Sequence, residues 1–240
     1  MLMKKILLLA LAFCFTLAFS GPAMAITWTE SGDAGQLAGT AQVISVADPL
    51  TQIFGNLGLS NIDSNSLLDV DMFLIYIFDP LNFSATTLDG ANLVSDPQLF
   101  LFGLDGRGIY MNDDADSGLL GSQSQLPAGN LLSPVSPGLY YLAIGWFDNE
   151  PFSEINGRIF EDLFGTAGPD LFAGGLNPVY SWYNDVNGRI DLPILYQIDL
   201  TGAGFAPIPE PGTLLLVGGG LFGMLGYKLQ RRRSGGPERS

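Results

Sequence analysis

The sequence predicts an all-β domain, an antiparallel β-sandwich or jelly roll, flanked at each end by a segment of different character. Three observations predict it. Apolar residues recur at every second position or in continuous runs of strand length. Asp-Gly and Asn-Gly pairs separate those runs at short intervals, as hairpin turns require. Between Ile26 and Ala206 there are 18 Asp against four Glu, and short Asp side chains favour turns and caps over helix interiors. The whole chain of 240 residues is 47% hydrophobic and 14% charged, enough apolar matter to exclude wholesale disorder. The central part, at about 180 residues, can bury one sizeable core.

Taken in order, residues 1–25 read as a secretory signal peptide. Lys4 and Lys5 give a positive start, and Ile6 to Phe19 is an apolar run too short for an ordinary spanning helix. Gly21-Pro22 breaks the run, and Ala23 and Ala25 place small residues where a signal peptidase checks. Cleavage is expected after Ala25, so the product begins at Ile26. The one cysteine, Cys14, lies inside the signal, which leaves the rest of the chain without thiols or disulfides.

The central elements follow from periodicity. Asp71–Phe78 and Leu139–Phe147 are continuous apolar runs of strand length, as expected of strands in a sandwich core. Phe83–Leu88 is a further short strand. Gln98–Leu104 and Gly108–Asn112 flank Asp105-Gly106 as a hairpin. Ser153–Phe164 has helical spacing, with Ile155, Ile159 and Leu163 on one side, although Asn156-Gly157 inside it is also a turn signal. Asn187-Gly188 marks another turn. Ile190–Leu200 alternates strictly, with Pro193 suited to an edge or bulge. The region 152–206 is open to two readings, completing the same sandwich or adding a subdomain.

The C-terminal segment, 207–234, contains Pro209-Glu210-Pro211, an apolar Gly-rich stretch at about 213–229, and Arg231, Arg232 and Arg233. The stretch is long enough for one transmembrane helix if Lys228 reaches to the membrane surface. The arginines should remain cytoplasmic, leaving the domain 26–206 outside. Tripeptide, helix and arginine cluster, in that order, resemble the PEP-CTERM sorting signal of exported bacterial proteins. The resemblance implies an exosortase that recognises Pro209-Glu210-Pro211 and removes the helix. It also implies inner-membrane anchoring before processing, then a destination at the cell surface or in the extracellular matrix, often linked to exopolysaccharide. The tail Ser234–Ser240 is longer after the arginines than is usual for the signal.

A second resemblance covers about Asp69 to Asp148. Asp69-Val70-Asp71-Met72-Phe73, Asn82 to Thr87, Gln98 to Phe102, Asn112-Asp113-Asp114 and Gly138 to Leu142 follow one another. The series is similar to the bacterial pre-peptidase C-terminal domain, a β-sandwich accessory module. It implies a non-catalytic role, with calcium or polymer binding in some members.

Charge limits the partners. Between Ile26 and Ala206, 22 acidic residues face three arginines, Arg107, Arg158 and Arg189, a net charge of −19. Such a domain repels nucleic acid and anionic lipid and attracts divalent cations. Asp69 and Asp71, two apart, share one face of a strand. Asn112, Asp113, Asp114 and Asp116 form a second oxygen cluster at the hairpin end. Calcium suits such donors, so Asp69, Asp71, Asn112, Asp113 and Asp114 are expected to converge on one ion. The EF-hand spacing fails, because Gly118 is one place late and Gln123 stands where Glu is required. The competing reading is that these carboxylates cap strand ends in solvent.

Trp146, Phe147, Tyr180, Trp182 and Tyr183 are candidates for stacking on sugars, although such residues in strands are more often ordinary core. With no His in the chain and no Cys or Lys between Ile26 and Ala206, triad, Schiff-base and zinc-hydrolase chemistry lack their parts. Only a carboxylate pair of the glycosidase kind is left, and nothing singles one out. The expectation is a non-enzymatic surface or matrix protein with a structural or binding role. A calcium-dependent carbohydrate or exopolysaccharide module ranks second and a glycan-active hydrolase last.

Overall fold

A computed structural model describes residues 25–45, 49–58, 69–88, 94–115, 122–155, 157–161, 165–184 and 194–204. Within them the chain forms fifteen strands and no helix. They are β1 (Ile26–Thr29), β2 (Gln42–Val43), β3 (Leu50–Leu57), β4 (Val70–Ile77), β5 (Ser84–Thr86), β6 (Pro97–Gly103), β7 (Gly108–Asn112) and β8 (Gln125–Leu126). The rest are β9 (Gly138–Trp146), β10 (Asn149–Ser153), β11 (Gly157–Arg158), β12 (Thr166–Ala167), β13 (Ser181–Asn184), β14 (Ile194–Thr201) and β15 (Ala203–Gly204).

The longest apolar runs build a central sheet in the order β12-β7-β6-β9-β4-β15, with β2 also paired to β4. Its strands alternate between two buried faces. Phe73, Ile75 and Ile77 of β4, Leu99 and Leu101 of β6, and Leu142 and Ile144 of β9 enter one core. Val70 and Met72, Phe100 and Phe102, and Tyr141 and Ala143 enter another. Most positions on both faces of these strands are buried, which is why the runs are largely apolar on both sides. The first core is shared with a five-stranded sheet, β1-β3-β14-β5-β8, through Ile53, Leu57, Tyr196, Ile198 and Leu200. Two sheets around one core are a sandwich.

The second core is closed by Ile159, Phe160, Ala167 and Trp182, the last of these on the small sheet β11-β10-β13. Trp182 is fully buried there, edge-on to Phe100 at 5.2 Å between ring centroids, and its Nε1 donates to Gln36 O at 2.8 Å. Ring pairs of this kind contribute about 0.5–1.5 kcal/mol beyond area burial. Of the described residues in 152–206, β14 pairs within the five-stranded sheet, and Ile159, Phe160, Ala167 and Trp182 line the second core.

Two expectations are corrected. The sheets are mixed, because β1 runs parallel to β3 and β2 parallel to β4. The helix over Ser153–Phe164 is replaced by β10, a turn and β11, with Ser153 paired to Gly157. Gly157 has φ +93°, a left-handed conformation no helix accepts, so the turn signal prevails over the helical spacing. The last strand is described only from Ile194, and Pro193 lies outside the described residues. The hairpin at Asp105-Gly106 is present, with Gly106 at φ +79° and Gly103 N donating to Arg107 O at 2.8 Å. Among the described residues, no helix is long and apolar enough to cross a membrane. The signal peptide and the stretch at about 213–229 lie outside the described residues.

Candidate functional site

The acidic residues gather in two places. The first lies where β1, the loop after it and β4 meet. Parallel pairing of β1 with β3 continues one residue further, as Glu30 N donates to Phe54 O at 2.8 Å. This places the Glu30 carboxylate over β3, where Oε2 accepts from Asn56 N at 2.9 Å and Oε1 from Ala34 N at 3.0 Å. Asp33 follows on the exposed loop, its Oδ1 accepting from Gly35 N at 2.8 Å. Asp69 stands just before β4, held by Gly58 N at 2.8 Å and Val70 N at 2.9 Å. Asp71 is the second residue of β4, and alternation turns it into the inter-sheet space.

Asp71 is 0% exposed. Its Oδ2 accepts from the Tyr196 hydroxyl at 2.7 Å, and its Oδ1 has no hydrogen-bond partner. Asp33, Asp69 and Asp71 each bring one carboxylate oxygen within 4.8 Å of the others. Burial raises the Asp71 carboxyl well above the ordinary 3.8, and the charges of Asp69, Glu30 and Asp33 raise it further against the Tyr196 hydrogen bond. Burial is likewise the main reason that Asp69 and Glu30 are raised, opposed by their backbone N–H bonds. Gly55 makes the arrangement possible. It lies opposite Tyr196, and a Cβ there would overlap the Tyr196 hydroxyl and the Glu30 carboxylate. An open depression of about 270 Å³ lined by Thr29, Glu30, Phe54, Asn56, Leu195 and Tyr196 leads to this point.

The second group lies at the far side of the central sheet. Asp96 precedes β6, and Asp113 and Asp114 follow β7; one carboxylate oxygen of each lies within 4.8 Å of the others. Asp113 is 3% exposed, and its Oδ1 has no hydrogen-bond partner. Its backbone is fixed by Asp113 N donating to Gly165 O at 3.1 Å and by the Ser124 hydroxyl donating to Asp113 O at 2.6 Å. Burial, with the charges of Asp114, Asp96 and Glu150, pushes the Asp113 carboxyl up to about 7. Burial and Asp114 push Asp96 up to about 6. Nearby, Gln98 Nε2 donates to the buried Glu150 at 3.1 Å.

The five expected ligands do not meet at one point. Asn112, Leu99, Ile144 and Asp71 form one row across β7, β6, β9 and β4. Three inter-strand steps separate its ends by about 14 Å. Ligands of a single calcium lie no more than about 5 Å apart. One ion therefore cannot hold both ends of the row, and the single-ion expectation becomes two groups. Asn112 belongs to neither as a ligand. Its Oδ1 accepts from Gln125 N at 2.6 Å, and its Nδ2 donates to Asp114 O at 3.0 Å and Thr166 Oγ1 at 3.1 Å. It is a strut that braces β7 against β8 and β12.

The aromatic candidates also divide. Trp146 and Trp182 are buried in the two cores, in line with the core reading of these residues. Phe147, Tyr180 and Tyr183 are exposed. Glu30, Asp33, Asp96 and Tyr196 were missed from sequence. Tyr196 and Asp71 are 125 residues apart, and no local pattern links them. Both groups present oxygen alone, the donor set of a hard cation and not of zinc or copper.

The architecture is that of an all-β module, and the segment beyond it supplies the class. The PEP-CTERM protein-sorting motif matches residues 207–233, Pro209-Glu210-Pro211 and Arg231, Arg232 and Arg233 included. The chain thus carries the sorting motif of PEP-CTERM proteins, and the motif implies export and membrane anchoring through the C-terminal region by the exosortase pathway. No curated protein and no solved structure matches the chain. The resemblance of Asp69 to Asp148 to the pre-peptidase C-terminal domain is not shown by these comparisons.

Proposed function

We propose that residues 26–206 form a non-catalytic module with a structural or binding role at the cell surface or in the extracellular matrix. The sorting motif carries this reading, because it directs the chain outward and begins within three residues of the last described strand, β15. The chemistry between Ile26 and Ala206 supports it: no His, Cys or Lys is available for nucleophilic or acid–base work. On this reading a signal peptidase cuts after Ala25, the C-terminal helix holds the chain in the inner membrane, and exosortase then releases it. Glu210→Ala should leave the protein in the inner-membrane fraction, while surface material of the unaltered protein should lack 214–229 by mass spectrometry. Surface material with an intact C-terminal segment contradicts the proposal.

The exposed Phe147, Tyr180 and Tyr183 support a second reading, a calcium-dependent carbohydrate- or exopolysaccharide-binding module. A glycan array run with calcium and with chelator separates the two. Calcium-dependent retention of a glycan favours binding, and no retention leaves the structural role.

A further inference from the structure

We propose that Asp33, Asp69 and Asp71 hold one calcium ion, with the Glu30 charge beside it, and that this ion clasps β1 and its loop to the end of the sandwich. The inference is independent of the surface role. Three carboxylates from two separate parts of the chain bring oxygens within 4.8 Å of one another, a spacing that one ion with ligands at about 2.4 Å can satisfy. Clustering alone would be met by solvated acids. The further observation is Asp71, which is 0% exposed and has one oxygen without a partner. A buried carboxylate is normally satisfied on both oxygens or neutralised. Every charge acting strongly on it here is another acid, Asp69, Glu30 or Asp33.

The surroundings are built to hold position. Gly58 N and Val70 N fix Asp69, Gly35 N fixes Asp33, and the Tyr196 hydroxyl fixes the other oxygen of Asp71. The loop is itself docked on β4, with Met72 N donating to Gly35 O at 3.0 Å. Asp33 is exposed and gives the ion an entrance from solvent. Donors set by backbone in an irregular arrangement suit calcium, whereas magnesium demands a near-ideal octahedron and keeps its waters.

The test uses the purified full-length protein in detergent, with calcium, magnesium or chelator as the only variable. Calcium at about 1 mM should raise the melting temperature above that in chelator, and magnesium at the same concentration should do much less. Asp33→Asn, at an exposed position, should weaken the calcium response about tenfold or more. Asp71→Asn should cross over: at least as stable as the unaltered protein in chelator, less stable in calcium. Terbium excited through tyrosine should luminesce beside Tyr196, be displaced by calcium, and fade in Asp33→Asn. Identical melting of the unaltered protein in chelator and in calcium overturns the proposal. So does an equal response to magnesium, or a calcium response that survives Asp33→Asn and Asp71→Asn but is lost in Asp113→Asn.

Discussion

Asp71 and Asp113 are both acids withdrawn from water with one oxygen unpartnered, yet their surroundings differ in kind. Asp71 is inside the sandwich, on the second residue of a strand, against a tyrosine from the opposite sheet. Asp113 is at a strand end, among loops, with Asp96, Asp114 and Glu150 as neighbours. Burial dominates both, but at Asp71 it comes between two packed sheets, whereas at Asp113 the neighbours are segments distant in sequence, those of Gly165, Ser124, Asp96 and Glu150. Position within a strand, rather than the density of acids, decides which carboxylate is locked into the core.

Gly55→Ala should break the comparison most strongly, because it acts on the Asp71 group alone. The added methyl would force Tyr196 and Glu30 apart, and overpacking of this sort costs about 1–3 kcal/mol. Urea denaturation should show that loss with the slope unchanged. A shift of under half a kilocalorie, on the order of a surface substitution, would mean that Tyr196 moves freely.

Titration in chelator sharpens the same contrast. Asp113 and Asp96 are raised from 3.8 to about 7 and about 6, so between about pH 4 and 7 the folded state binds more protons than the unfolded. Their contribution is fully present below about pH 4 and is lost as pH rises through the folded values. Stability should therefore fall from pH 4 to 7. Asp113→Asn, which removes the charge that faces Asp114, Asp96 and Glu150, should flatten that slope and raise the melting temperature at pH 8. An unchanged slope would place the titration elsewhere.

Much of this arrangement was legible in the sequence, and the part that was not has a definite cause. Runs such as Asp71–Phe78 and turns such as Asp105-Gly106 are local, and the structure places them within a residue or two. Asp69 and Asp71 could be paired by strand periodicity, and Asp113 with Asp114 by adjacency. Their partners reach them only through contacts distant in sequence, Asp33 by docking of its loop on β4 and Asp96 by the pairing of β6 with β7, which no short window contains. The single-ion expectation failed for the same reason: strand order, not sequence spacing, puts β6 and β9 between Asn112 and Asp71.

The smallest expected effect concerns the strut. Asn112→Ala should cost about 1 kcal/mol by freeing Gln125 N and Thr166, and should leave any calcium response unchanged. A lost calcium response would restore Asn112 to the list of ligands.

The place of β14 has a consequence for timing. It sits in the middle of the five-stranded sheet, between β3 and β5, although it is nearly the last part of the domain in sequence. A chain emerging N-terminus first can pair β1 with β3 and β5 with β8, but those two pieces have no common edge until β14 arrives. Until then, unpaired strand edges are open to other chains. The five-stranded sheet and the core beneath it therefore close as a late event, after Thr201 is out and with the sorting motif, which begins at 207, next in line. Pairing across so long a stretch of chain is slow. A chain cut short before β14 would lack the strand that joins the halves of that sheet, so completion of the fold is tied to completion of export.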